Sequence, residues 1–152
     1  MPTIVAYQHT GDIIDKETVI TLIQEQMAFI GYQQSREEVE AEVNNAMKKE
    51  SRSALFVAYE GGSTAIGFAY GNICSGLETG GDYFWLNELY VSESCRKQGL
   101  GSDLLGFVRT WSQEMGCGYL AMVTHPNNKK AQALYQELGF ELEKLVWVDK
   151  YL

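Results

Sequence analysis

The chain has 152 residues, 45% of them hydrophobic, with two prolines, and sets 12 Lys and Arg against 20 Asp and Glu for a net charge of -8. Such a length suits one folded domain, residues 1–152, burying roughly 68–70% of the surface its unfolded chain exposes and so able to hold a cleft. The acidic balance argues against nucleic acid, whose phosphates need a basic face, and no apolar run approaches the ~20 residues of a membrane span.

The first residues, MPTIVAYQHT, lack the basic start and apolar core of a signal peptide, so a cytoplasmic protein without membrane attachment is expected. Cys74, Cys95 and Cys117 are an odd set without a C-x-x-C pair, which disfavours a disulfide framework and a zinc knuckle; no metal site is expected. They read as reduced structural thiols. Cys95 differs in standing beside Arg96 and a helix start, both of which favour the thiolate.

In chain order, TIVAYQ (3–8) reads as a short strand, and Val19, Ile23, Met27 and Ile30 follow the helical period up to Gly31. A second helix is expected from Arg36 to Ser51, with Val39, Val43, Ala46 and Met47 inward and acidic residues early, where the helix dipole favours them. ALFVAYE, the turn signal GGST and AIGFAYGNI make a β-hairpin, and SGLETGG (75–81) is a loop. DYFWLNELYV (82–91) reads as a central strand with consecutive polar residues, Asn87 and Glu88, in its middle. Successive strand residues point to opposite faces, so either one of the two points inward or a β-bulge interrupts the alternation.

Next, Leu100, Leu104, Phe107, Val108, Trp111 and Met115 mark an amphipathic helix ended by Gly116 and Gly118, and YLAMVT (119–124) is a buried strand. HPNNKKAQALYQELGF places a helix after an N-cap at Asn127 or Asn128, with Ala131, Leu134, Tyr135 and Leu138 on one face and Gly139 as its stop. FELEKLVWVDKYL closes the chain as strand, turn and strand.

At the junction of the central strand and the amphipathic helix stands RKQGLGS (96–102): two cations, two glycines and the unpaired NH groups of a helix start, the requirements of a phosphate site. The P-loop pattern fails, because no Gly-Lys-Ser/Thr follows, and the dinucleotide fingerprint meets Leu104 in place of its third glycine. What remains is R-x-x-G-x-G.

NELYVSESCRKQGLGSDLL followed by NNKKAQALYQELGF resembles the GNAT superfamily of acyl-CoA N-acyltransferases, in the [RQ]-x-x-G-x-[GA] loop and in the later signature matched by Asn128, Ala131, Leu134, Tyr135, Gly139 and Phe140. One departure is Glu93, where members often have proline. The resemblance implies an α/β (α+β) fold, with a mixed, mostly antiparallel sheet splayed between its fourth and fifth strands and flanked by about four helices. It implies acetyl-CoA as cofactor. Its contacts would be Leu89, Tyr90 and Val91 on the strand edge, Arg96, Lys97, Gln98, Gly99, Leu100, Gly101 and Ser102 around the pyrophosphate, and Asn128, Ala131 and Tyr135 on the later helix.

The reaction implied is direct attack of an amine on the thioester, with Glu88 as general base, directly or through water, and Tyr135 as general acid on the leaving sulfur. A bulge would turn a backbone NH toward the thioester oxygen. Phe29, Tyr32, Trp85 and Asn87 are the candidate acceptor contacts, and an acidic cleft with aromatic walls suits a cationic small-molecule or peptide amine. His125 reads as a loop residue, and His9 has no visible partner. The alternative is a non-catalytic acyl-CoA-binding sensor or interaction module. The apolar end LVWVDKYL suits pairing with a second copy as a homodimer.

Overall fold

In a computed structural model, which describes residues 2–152, the chain forms two compact units, Met1–Met122 and Val123–Leu152. The larger unit runs β1 (Thr3–Tyr7), α1 (Lys16–Phe29), α2 (Arg36–Ala46), β2 (Ser53–Glu60), β3 (Thr64–Ser75), β4 (Asp82–Val91), a 3-10 turn (Glu93–Cys95), α3 (Leu100–Glu114) and β5 (Leu120–Ala121). The strands lie in the order β1-β2-β3-β4-β5, antiparallel throughout except for the parallel β4–β5 pair. This is the mixed sheet that the resemblance implies.

Both faces of the sheet are covered, which is why β2 and β3 read as continuous apolar runs. On one face Leu55, Val57, Tyr59 and Phe68 pack with Val19 and Leu22 of α1 and with Met47 after α2. On the other, Phe56 meets Phe84, Phe107 and Trp111 edge to face, with ring centroids 5.9, 6.0 and 5.2 Å apart. Local signals fix the helix starts. Ser35 and Glu38 close a capping box at α2, while Asp15 accepts from the Thr18 hydroxyl at 2.8 Å and from the Ala65 amide at 3.0 Å, tying the start of α1 to β3.

The expected irregularity in β4 is a bulge. Tyr70 opposes Glu88 and Gly71 opposes Leu86, so no β3 residue stands opposite Asn87 in the register. Before the bulge the Phe84 amide donates to the Tyr119 carbonyl, toward β5; beyond it the Ser92 amide donates to the Ile66 carbonyl, toward β3. The extra residue has therefore shifted the phase of the strand by one. Leu89 and Val91 now turn their peptide groups to the β5 side, where only Phe84 and Trp85 are paired. The sheet parts there, leaving an open edge.

Three expectations need correction. The second helix stops at Ala46 instead of Ser51, where two asparagines precede a Met47 cap and a Lys48–Ser51 turn. The strand expected over 119–124 shrinks to Leu120–Ala121, because β4 diverges and offers the later residues no ladder. The closing strand, turn and strand are not formed: residues 141–152 have no regular structure, since alternating apolar residues become a strand only where an edge pairs with them.

In the smaller unit, α4 (Lys129–Glu137) is capped by Asn128, whose side-chain oxygen accepts from the Ala131 amide at 3.2 Å. Gly139 at φ +87° ends it in the left-handed region. The Tyr135 ring packs edge to face on Phe140, 6.1 Å between centroids.

Gly71 makes the bulge sterically feasible. A Cβ there would collide with the Phe84 ring and the Trp85 carbonyl, and backbone cannot yield as a flexible side chain can. Gly71→Ala should cost about 2–3 kcal/mol, at the upper end for overpacking, read as a lowered urea midpoint at unchanged slope.

Candidate active site

The bulge decides what Glu88 faces. Strict alternation from buried Leu86 would have put Glu88 on the same face as Leu86; the phase shift puts it opposite Tyr70, on the α1 side, where Gln26 Nε2 donates to its Oε2 at 3.1 Å. Burial pushes the Glu88 pKa up, and the Gln26 donor partly opposes the shift. A half-buried carboxyl thus stands on the residue before the open edge. The side chain of Asn87 itself is exposed and accepts from Asn72 Nδ2 at 2.9 Å.

Beyond the edge lies the turn 96–102. Lys97 at φ +65° and Gly99 at φ +78° are both left-handed, and the curl they make delivers the chain into α3 at Leu100. Gly99 caps α3 with no side-chain hydrogen bond, so the first-turn amides of Leu100, Gly101 and Ser102 are offered outward. An uncapped helix start behind a glycine turn, beside a strand edge with outward peptide groups, fits a ligand with a phosphate at one end and an amide-bearing arm.

Arg96 behaves differently from a free phosphate ligand. Its Nε donates to the Val91 carbonyl at 3.0 Å, and its guanidinium lies 5.3 Å from the Tyr90 ring centroid. The Tyr90 hydroxyl in turn donates to Glu25 Oε2 at 3.2 Å. Glu25, Tyr90, Ser92, Glu93 and Ser94 line a cavity of about 600 Å3.

Of the other expected residues, Phe29 ends α1 and is 74% exposed, Tyr32 follows in the connection to α2 at 49%, and Trp85 is half-buried opposite Asn72. Lys97 and Gln98 are exposed in the turn. In the smaller unit Asn128 is committed by its oxygen to the helix cap, Ala131 is the residue it caps, and Lys129 and Lys130 are exposed at the helix start. Burial pushes the Tyr135 hydroxyl pKa up. His125 Nδ1 accepts from the Asn127 amide at 3.1 Å, as suits a loop residue. Cys74, Cys95 and Cys117 are unpaired thiols, and burial pushes that of Cys117 up. Sequence reasoning missed Gln26 and Glu25, whose only signal was a polar run, QEQ, between the apolar pairs of an amphipathic helix.

An open-edged sheet, a half-buried carboxyl at its bulge and an uncapped helix start fit an acyl-CoA-type transferase fold. The chain belongs to the acetyltransferase (GNAT) family, whose model matches residues 19–140. It is accordingly an acetyl-CoA-dependent N-acetyltransferase. Over 101 residues it is 34% identical to aminoglycoside N(6')-acetyltransferase type 1 of Salmonella typhimurium, covering 64% of this chain and 69% of the relative. Over 63 residues it is 33% identical to the D-amino-acid N-acetyltransferase HPA3 of Saccharomyces cerevisiae, covering 41% of this chain and 39% of that one. Among solved structures it resembles AAC(6')-Iy in complex with the bisubstrate analog CoA-S-monomethyl-acetylneamine, with TM-score 0.78, 24% identity, and 100% of this chain and 99% of that chain covered. A probable acetyltransferase gives TM-score 0.83 at 19% identity, covering 97% and 99%.

The raised Glu88 pKa has a definite stability consequence. Between its unfolded and folded pKa the native state binds more protons than the unfolded state, so this carboxyl lowers stability as pH rises through that window. Glu88→Gln should therefore stabilise the protein at neutral pH and have no effect well below the ordinary carboxylate range. Urea unfolding at both pH values checks the sign.

Proposed function

We propose that this N-acetyltransferase acetylates a cationic small-molecule or peptide amine, with Glu88 as general base. The observation that carries the reading is the placement of Glu88 at the bulge, half-buried, with a raised pKa and next to the open edge of β4. When bound, acetyl-CoA supplies an acetyl group already activated as a thioester. The turn 96–102 and the first amides of α3 would hold its pyrophosphate, and the outward Leu89 carbonyl and Val91 NH would hold its arm.

Glu88 takes the proton of the attacking amine, directly or through one water; a carboxylate with a raised pKa is a better base than an ordinary one. The Leu89 amide, turned outward by the bulge, donates to the acyl oxygen as negative charge grows there. Burial raises the Tyr135 pKa, so its hydroxyl keeps its proton and would be the acid for the leaving sulfur. Asn128 and Ala131 contribute to the cofactor arm from α4.

Acceptor contacts are Phe29, Tyr32, Trp85 and Asn87, with Glu25 and Glu93 adding negative charge. Aromatic and acidic groups together attract ammonium groups. The names of the relatives, acting on aminoglycosides and D-amino acids, agree with such acceptors and place aminoglycosides first in the panel to be tested. No helix among the described residues is long and apolar enough to cross a membrane, and three unpaired thiols suit a cytoplasmic setting. The exposed Leu145, Val146 and Val148 support self-association through 145–152.

Thiol release from acetyl-CoA across aminoglycosides, polyamines, amino acids and basic peptides tests the acceptor, beside calorimetric titration of CoA. Turnover with a cationic amine is expected; tight CoA binding without turnover on any amine would favour the sensor alternative. Glu88→Gln and Tyr135→Phe should each lower kcat about 10²-fold or more while CoA affinity stays within twofold. A kcat unchanged in either folded variant removes that residue from its role. The acid limb of kcat/KM should lie above the ordinary carboxylate range.

A further inference from the structure

We propose that Arg96 is a positioning residue, a clamp that fixes the phosphate-binding turn to β4, and that its charge does not contact the ligand. The proposal rests on the reading of 96–102 as the pyrophosphate turn. Its basis is a chain of contacts across three elements: Glu25 of α1 accepts from the Tyr90 hydroxyl, the Tyr90 ring carries the Arg96 guanidinium, and Arg96 Nε reaches back to the Val91 carbonyl.

The turn needs such a clamp. Lys97 sits at φ +65°, where a residue with a Cβ costs about 1–2 kcal/mol, and it lies between Arg96 and the left-handed Gly99. A residue in that region persists only when its surroundings over-determine it. On the helix side α3 is anchored by buried Leu100 and Leu104. On the strand side the 3-10 turn is short, and the Arg96 side chain supplies the remaining tie.

Only arginine does this. Its planar guanidinium can lie over a ring while Nε donates within the same plane, whereas a lysine ammonium is a compact charge without that fixed geometry. A second consequence concerns the open edge. The Val91 carbonyl already accepts from Arg96, so an extended ligand pairing with β4 has the Leu89 carbonyl and the Val91 NH to use, the Leu89 NH being kept for the acyl oxygen.

Two readouts test the clamp in the full chain. The first is amide hydrogen exchange over 96–102 without ligand, in wild type, Arg96→Lys, Arg96→Gln and Tyr90→Leu. The second is the calorimetric Kd of CoA for the same proteins at several salt concentrations, with thermal unfolding as the check on folding. All three variants should exchange faster in the turn and bind CoA about tenfold more weakly, since ordering the turn then falls on the binding step. Arg96→Gln should keep the wild-type salt dependence.

Unchanged exchange in Arg96→Lys, a substitution at an exposed position that the fold tolerates, would overturn the clamp. So would wild-type affinity in Arg96→Lys together with a shallower salt dependence in Arg96→Gln, the signature of a direct charge contact. Gly99→Val controls the underlying reading. If it leaves CoA affinity untouched, the phosphate assignment falls while the exchange data still judge the clamp.

Discussion

One extra residue in one strand organises the larger unit. Without Asn87 as a bulge, β4 would run in register along β3, Glu88 would face the side of Phe84 and Trp111, and an unpaired carboxyl there would cost several kcal/mol or stay protonated. With it, the same side chain meets Gln26, and the peptide groups of Leu89 and Val91 turn to the side that β5 has left. The place of the Glu88 carboxyl, the edge and the open gap are three consequences of a single register shift. Gly71 shows how tightly the partner strand is drawn against it, since no side chain fits there.

The charge distribution follows from the same economy of means. A chain of net charge -8 that binds an anionic cofactor would seem ill-equipped for the task. Yet the proposed phosphate site consists mainly of backbone amides at a helix start, which carry positive potential whatever the side chains do. Arg96 meets the Val91 carbonyl, and Lys97 and Gln98 are exposed. Acidic side chains are thereby left to shape the cavity near Glu25 and Glu93 without cancelling the anion site.

Much of this was readable before any coordinates. The strand bounds 82–91, the amphipathic helix after RKQGLGS and the Asn128 cap follow from patterns spanning only a few residues, and a consecutive Asn-Glu pair in a two-sided strand requires either a bulge or a buried polar group. What could not be read depends on distant partners. That Gln26 reaches Glu88 joins residues far apart in the chain, and nothing in a polar run says which face of which strand it will meet. The strands expected at 119–124 and beyond 140 failed for a related reason: alternation shows what a segment could bury, but a strand also needs an edge. The Arg96 contact is of the same kind, because local sequence shows a charge and not the carbonyl that it meets.

Helix α1 links the core to the chemistry. Val19, Ile20 and Leu22 are almost fully buried, so the helix cannot slide without opening a cavity. One turn later Glu25 and Gln26 emerge side by side over β4, one meeting Tyr90 and the other Glu88. The ion pairs between α1 and α2, Lys16–Glu40 and Arg36–Glu17, are surface contacts worth about 0–1 kcal/mol each and do not set this position. The packing of three aliphatic side chains does, and it places Glu25 against Tyr90 and Gln26 against Glu88. Repacking those three side chains would therefore reach Glu88 and the turn 96–102 together.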